Sequence, residues 1–539
     1  MQPLLPNIDD LSLTQQVAQM LVVRASGYLF DHQIQYPAWE PPAATLQCWI
    51  QQWGIGGVIL LGGSAGELAL RSQQLQAWAQ IPLLLAADIE EGVGQRFAGA
   101  TWFPPPMAIA AIAEQSPERA ASYAEQMGQI TAQEAQAIGL NWVLAPVMDV
   151  NNNPANPVIN VRAFGETPDR VSQLATAFLR GLKQHPVLSV AKHFPGHGDT
   201  AIDSHLDLPV LSHTLERLQT IELPPFQAAI AAGVDAIMSA HLQIPALDPH
   251  LPTTLSPPIL TGLLRQRLDF QGLIVTDALV MGAIADRYGA NEAPVLAVEA
   301  GADILLMPVD PVGAIQAVCA AVATGRITPE RIRDSVERIW RAKQLACTAI
   351  VPPAAPHAWE TVPPSLQTQT LMPQLAQPAA IALVADILRD SMQVRSGAMP
   401  AKEAGSEYRN LIIVDDALDC EFLGRRSPAI LLPGTHGYRT YVVDRQTPDF
   451  LAQLDPAPTL LQLFIRGNPF RGSAGCTQIA DRWLRWLVST EQLQAIVFYG
   501  SPYLLEAFLP ELPPHLPYGF SYGQMPAAQA IVLEALLGR

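Results

Sequence analysis

Eight short apolar runs, at residues 20–23, 57–61, 83–87, 142–146, 187–191, 236–239, 273–276 and 303–307, punctuate the first 345 or so residues of this chain. Most of the intervals between them hold amphipathic or alanine-rich stretches of helical length, such as 121–139, 170–184 and 222–232. Strands joined by connections that long pair in parallel, since a tight hairpin is unavailable to them. Parallel strands are covered on both faces, which fits runs that are continuously apolar and not alternating. Eight such units in a little over 300 residues suit a closed (β/α)8 barrel of the TIM type better than an open sheet.

The polar residues fall where a barrel needs them. Asp88, Asp149, Lys192 with His193, His241 and Asp277 each stand at or just past the C-terminal end of an expected strand. In a parallel barrel those ends converge on one mouth, where catalytic groups collect. The densest of these sites is Lys192-His193-Phe194-Pro195-Gly196-His197-Gly198-Asp199-Thr200, followed closely by Asp203-Ser204-His205. A buried strand that runs into so many ionisable groups on a glycine-bearing loop is how an α/β enzyme presents its chemistry.

More than one chemistry is open to such a loop. His193, His197, His205 and His241 with Asp199 and Asp203 are residue types that bind zinc. Against that reading, Pro195, Gly196 and Gly198 preclude a helical pair of histidines four apart. Alternatively, Asp203 can accept the ring N–H of His205, fixing its tautomer and raising the basicity of the other nitrogen. Such a dyad can hand a proton to a leaving group and later take one from water. Asp277, at the end of the run 273–276, can be an ionised nucleophile or an N-cap of a helix over 278–286. A proton donor and a carboxylate nucleophile on opposite sides of a bond are what retaining glycoside cleavage requires.

Composition bounds the partners. The chain has 539 residues, 49% of them apolar and 15% charged, so it can build more than one large core. A formal net charge of −17 argues against nucleic acid or an anionic membrane surface as a partner. There is no apolar run of spanning length, and the opening residues have neither the basic region nor the apolar core of a signal peptide, so a cytoplasmic location is expected. The five cysteines form no CxxC pair, which disfavours a structural zinc site or a disulfide framework. Beyond the barrel, prolines crowd residues 351–377, and apolar runs return at 380–384, 411–414, 441–443, 460–464 and 495–499. The expected organisation is therefore a (β/α)8 TIM-type barrel over residues 1–350, a proline-rich linker over 351–377, and a smaller α/β C-terminal domain over 378–539.

The run KHFPGHGDT with DSH at 203–205 resembles the signature of glycoside hydrolase family 3, in its β-N-acetylglucosaminidase branch. Residues 11–21, Asp88 leading to Gln95-Arg96-Phe97, Ala145–Val150, Val161–Gly165 and Thr276-Asp277-Ala278 agree with the same family in order, and Phe498–Tyr503 resembles its second domain. That resemblance implies Asp277 as nucleophile, His205 as acid/base, and Asp203 as the residue that orients it. It also implies that Asp88, Arg162, Lys192 and His193 bind sugar hydroxyls, with Arg96 and Asp149 supporting the site and His197 and Asp199 shaping the loop. The implied activity is exo-acting removal of terminal N-acetylglucosamine from a small oligosaccharide or muropeptide, with no cofactor and no metal; the alternatives are a β-glucosidase or β-xylosidase of the family, a metal-dependent barrel hydrolase, or a sugar-binding protein without catalysis. One departure stands out: Glu91 occupies a position where the family has glycine, so its side chain either narrows the loop after Asp88 or meets substrate.

Overall fold

The computed structural model describes residues 5–200, 208–347, 368–395, 407–418, 420, 422–448, 455–466 and 474–538. Asp203 and His205, and most of the expected linker, lie outside the described residues. Contacts divide the chain into two units: Met1–Phe103, Ala120–Asn153 and Ala163–Ile381 form one, and Pro104–Arg119, Pro154–Arg162 and Ala382–Arg539 form the other. No helix among the described residues is long and apolar enough to cross a membrane.

In the first unit all eight apolar runs are strands: β1 (Leu21–Ser26), β2 (Gly57–Leu61), β3 (Leu84–Ala87), β4 (Trp142–Val143), β5 (Leu188–Phe194), β6 (Ala236–Ser239), β7 (Leu273–Thr276) and β8 (Leu305–Leu306). They form one parallel sheet in the order β7-β6-β5-β4-β3-β2-β1-β8. The two ends of that order meet through a Val275–Ile304 bridge and a Thr276 N–H to Ile304 O bond of 3.0 Å, so the sheet closes into a barrel. β4 is the two-residue segment Trp142–Val143. Pairing nonetheless continues beyond it, with Leu144 N–H on Ala87 O at 3.1 Å and Val190 N–H on Ala145 O at 2.9 Å.

The helices follow from ordinary amphipathic spacing. In Pro168–Leu182, proline begins the first turn, and Val171, Leu174, Ala175, Phe178 and Leu182 turn one buried stripe inward. At the N-terminal end of the barrel, buried charge does the fastening. Asp303, wholly buried just before β8, accepts from Arg265 Nη2 (2.7 Å), Ser335 Oγ (2.7 Å), Ile274 N–H (3.0 Å) and Arg338 Nη1 (3.2 Å). One carboxylate thereby ties the start of β7 to the start of β8 and to the helix Pro329–Ala346. In that helix Lys343 is also fully buried, its Nζ donating to Gln19 Oε1 at 2.6 Å. Burial pushes its ammonium down to about 8 and pushes the Cys347 thiol up to about 11.

The second unit holds a six-stranded sheet. β10 (Tyr408–Ile413), β11 (Tyr438–Val443), β12 (Thr459–Ile465), β13 (Leu493–Gly500) and β14 (Tyr518–Ser521) run parallel in the order β11-β10-β12-β13-β14, and β9 (Gln393–Arg395) adds antiparallel at the β14 edge. Ile412, Leu460, Phe464, Val497, Tyr499, Val532 and Leu533 share its core. One expectation needs correction: the apolar run 380–384 is not a strand but part of the helix Pro378–Ser391. A five-residue apolar run has no period of its own, and here it lies in a fourteen-residue helix that proline opens, with Ala380, Leu383 and Val384 buried and Ile381 exposed.

Two stability predictions follow from the buried charges. Asp303→Ala leaves its arginines without a counter-charge and should lower the unfolding free energy of the barrel by about 3–5 kcal/mol in urea denaturation. Lys343 has a folded pKa below its unfolded value, so the unfolded chain binds more protons above pH 8 and stability rises with pH there. From pH 9 upward, ionisation of the Cys347 thiol in the unfolded chain works in the opposite sense. Wild-type stability should therefore climb between pH 8 and 9, and Lys343→Met should flatten that climb.

Candidate active site

The C-terminal strand ends bring most of the expected residues together. Lys192, in β5, is 2% exposed, and its Nζ lies 2.7 Å from Asp88 Oδ1 and 2.6 Å from Glu90 Oε1. The two carboxylates offset the cost of burying its ammonium that deeply. Asp88 follows β3 directly and keeps over a third of its side chain in solvent, whereas Glu90 is buried. Arg96 supports Asp88 from behind, its Nε donating to the Asp88 carbonyl at 3.0 Å.

Asp149, past the end of β4, is completely buried and gathers the neighbouring loop around itself. Its Oδ2 faces His193 Nδ1 at 2.7 Å, the His193 N–H reaches both oxygens at 3.2 Å, and the His197 N–H reaches Oδ1 at 2.7 Å. Burial by itself would raise this carboxyl. The charge and ring hydrogen bond of His193, then the charge and N–H of His197, outweigh it and hold the acid below its ordinary range. A carboxylate accepts, so His193 carries its proton on Nδ1 toward Asp149.

His197 behaves differently. Full burial drives it down to about 4; the charges of Asp149 and Asp277 push the other way, while His193 adds to the depression. At neutral pH its ring is uncharged, and Thr200 Oγ1 stands 2.9 Å from its Nδ1. The loop can lie this close because of its glycines. A Cβ on Gly198 would fall 1.7 Å from the Val150 carbonyl oxygen, and Gly196, at φ +136°, would meet Glu222 at 2.8 Å. Asp199 is held outside this centre, 3.1 Å from His213 Nε2 and 3.3 Å from Arg217 Nη2.

Asp277 stands immediately after β7 and is partly exposed, and its charge acts on the His197 ring. Its N–H donates to Ser239 O at 3.2 Å, and its Oδ1 accepts from the Ala278 N–H at 2.7 Å. It is not a helix cap, because the next helix is Gly282–Tyr288 and Met281 is its N-cap. His241, wholly buried after β6, donates from Nε2 to the Ala278 carbonyl at 3.0 Å, with its Nδ1 2.8 Å from Thr254 Oγ1. His241 thus braces the peptide that follows Asp277.

Arg162 falls in the second unit, at the end of the short helix Asn160–Arg162, with Nη1 on Val158 O at 3.0 Å. Asp203 and His205 are outside the described residues. Glu91, open in the sequence between narrowing the loop and meeting substrate, is 0% exposed, and its Oε2 accepts from the Trp102 indole N–H at 3.1 Å. It braces the loop after Asp88 from within. Sequence reasoning passed over Glu90 as the second partner of Lys192. The signal was present in the Asp-x-Glu at 88–90, but a spacing of two does not say that both carboxylates reach one ammonium.

Residues 12–342 match the family described as the glycosyl hydrolase family 3 N-terminal domain, and residues 401–538 match the bacterial glycosyl hydrolase family 3 C-terminal domain. A β-hexosaminidase A of Pseudoalteromonas piscicida is 36% identical over 329 residues, 54% of this chain and 54% of that protein. A protein of Cellulomonas fimi named β-N-acetylglucosaminidase/β-glucosidase is 32% identical over 299 residues, 54% of this chain and 52% of its own length. The chain thus spans about half the length of both relatives. The solved structure of a glycoside hydrolase family 3 β-N-acetylglucosaminidase from Paenibacillus sp. str. FPU-7 is similar at a TM-score of 0.77 and 29% identity, covering 98% of this chain and 96% of that one.

The electrostatics of the two site histidines can be read directly. With ring-labelled histidine, NMR titration should find one histidine, His197, neutral down to about pH 4. Asp149→Asn removes an anion that favours its protonated form, so the midpoint should fall further. A His197 resonance titrating near 6.5 in the wild type would contradict the buried geometry.

Proposed function

The chain belongs to glycosyl hydrolase family 3, and from that premise we propose that it is an exo-acting, retaining β-N-acetylglucosaminidase. Its substrate on this reading is a terminal N-acetylglucosamine of a chito-oligosaccharide or a cell-wall muropeptide, and its cellular role is cytoplasmic muropeptide recycling. The observation that carries the reading is Asp277, a carboxylate at the end of β7 whose charge reaches the same buried histidine centre that Asp149 organises. Relatives named β-hexosaminidase and a β-N-acetylglucosaminidase of known structure support the choice of sugar.

The proposed reaction has two steps. Asp277 attacks the anomeric carbon while His205, oriented by Asp203, protonates the departing glycosidic oxygen, leaving an ester between sugar and enzyme. Water then attacks that ester, His205 takes its proton, and Asp277 is released with overall retention. Asp88, Lys192 and His193 bind sugar hydroxyls. The Lys192 ammonium fixes the Asp88 carboxylate, so substrate meets an acceptor that is already oriented and loses little in ordering it. Arg162 enters as a further hydroxyl ligand on the family resemblance alone. The name of the Cellulomonas relative also favours a second reading, in which β-glucosides are cleaved as well.

Turnover of aryl β-N-acetylglucosaminide should exceed that of aryl β-glucoside and be indifferent to EDTA. Asp277→Ala should lower kcat by about three powers of ten or more, as loss of a nucleophile does. Preference for the plain glucoside would keep the family and overturn the sugar; full activity in Asp277→Ala would overturn the nucleophile.

A further inference from the structure

The loop between β1 and β2 carries large aromatic side chains that keep part of their surface in solvent. Phe30 is 61% exposed, Tyr36 38% and Trp39 39%. Paired aromatics that keep over a third of their surface in solvent on an ordered turn are suited to a binding surface. The turn is built in advance. The N–H groups of Trp39 and Glu40 both donate to Tyr36 O at 2.9 Å, and Glu40 Oε1 accepts from Arg24 Nη2 and Nε at 3.0 and 3.1 Å. The Arg24 guanidinium stands 4.8 Å from the Tyr36 ring centroid and 5.4 Å from that of Trp39. The two rings lie 6.2 Å apart with only 19° between their planes, so one neutralised ion pair holds both at nearly the same tilt.

The loop that carries this pair is tied by hydrogen bonds to the loops that lead to the candidate site. Gly27 N–H donates to Leu61 O at 2.8 Å, joining the loop after β1 to the end of β2. Ala98 N–H donates to Gly63 O at 3.1 Å, and Ala65 N–H to Ala98 O at 2.9 Å, joining the loop after β2 to the loop after β3. That third loop ends on Arg96 and the Asp88 carbonyl it holds. Backbone hydrogen bonds therefore link the loops after β1, β2 and β3 in series, the first carrying the aromatic pair and the third beginning at Asp88.

We propose that Tyr36 and Trp39, seated on the Arg24–Glu40 pair, form a subsite for the leaving-group side of the substrate, stacking on a pyranose ring of the departing oligosaccharide. The inference rests on the glycosidase reading given above and names where that enzyme holds the rest of the chain it trims. An equatorially substituted pyranose has axial C–H groups on its faces and hydroxyls around its edge. It can lay an apolar face on an aromatic ring while its edge stays hydrated. An exo-acting site binds the terminal sugar at the base of the mouth, so the remainder must pass over the rim. Rings fixed before binding lose little conformational freedom on contact, which makes the stacking effective.

The test compares chitotetraose with methyl β-N-acetylglucosaminide, whose aglycone is too small to reach the rim. In Trp39→Ala the ratio of kcat/KM on chitotetraose to that on the methyl glycoside should fall about tenfold, and Trp39→Phe should restore most of it. A ratio within twofold of wild type would overturn the subsite. So would an unchanged ratio with conversion of a wild-type dimer to a monomer, which would give the rings to a second copy of the chain. Binding of chitotetraose to Asp277→Ala, with and without Trp39→Ala, separates this inference from the activity it rests on. A weaker Kd in the double variant supports the subsite even if wild type turns over neither sugar, and an equal Kd overturns it even if wild type is an active glycosidase.

Discussion

A carboxylate taken wholly out of water must find its hydrogen bonds inside the protein, and Asp149 finds them in the loop that continues β5. Its two oxygens take the ring and backbone N–H of His193 and the backbone N–H of His197. Without those partners the burial would be costly. The loop is thereby drawn against the segment after β4, which requires Gly198 to have no side chain where Val150 O passes. The pairing of Lys192 with Asp88 and Glu90 builds on the same strand end, since Lys192 immediately precedes His193. Two charged centres, one on each side of a single peptide, thus fix how β3, β4 and β5 meet at the mouth.

The two ends of the barrel use buried charge for different purposes. At the N-terminal end Asp303 is saturated by arginines, a serine and a backbone N–H, and Lys343 is held by Gln19, all far along the strands from the mouth. These groups are buried away from solvent and act on stability. At the C-terminal end, Asp88 keeps a third of its side chain exposed and Asp277 is partly exposed. There the fold leaves polar groups oriented by protein and still open to solvent, which is the condition for binding a hydroxylated substrate.

Much of the barrel was legible in the sequence because a parallel strand buried on both faces has to be mostly apolar, and each of the eight was. The strand-end residues were legible for a related reason: a titratable group directly after a buried run has few places to go but the mouth. The run 380–384 was ambiguous because five apolar residues in a row do not distinguish a strand from a helix. Glu91 could not be placed from sequence, since whether its carboxylate meets a sugar or the Trp102 indole depends on a contact across the turn of that loop. The partnership of Glu90 with Lys192 joins residues about a hundred positions apart, and spacing carries no such information. Asp277 was open between helix cap and nucleophile. The cap is excluded because the helix begins only at Gly282, after a turn that the bare sequence does not reveal.

The account stands on Asp277 forming a covalent bond to the sugar, and the direct measurement is to locate that bond. The enzyme would be incubated with a 5-fluoro β-N-acetylglucosaminyl fluoride, whose good leaving group speeds formation of the ester while the ring fluorine slows its hydrolysis. Intact mass and peptide mapping would then find the labelled residue. The account predicts one sugar per chain, on the peptide that contains Asp277, and no label in Asp277→Ala. A label on another carboxylate, or turnover of a β-glycoside to the inverted α-sugar without any label, would contradict it.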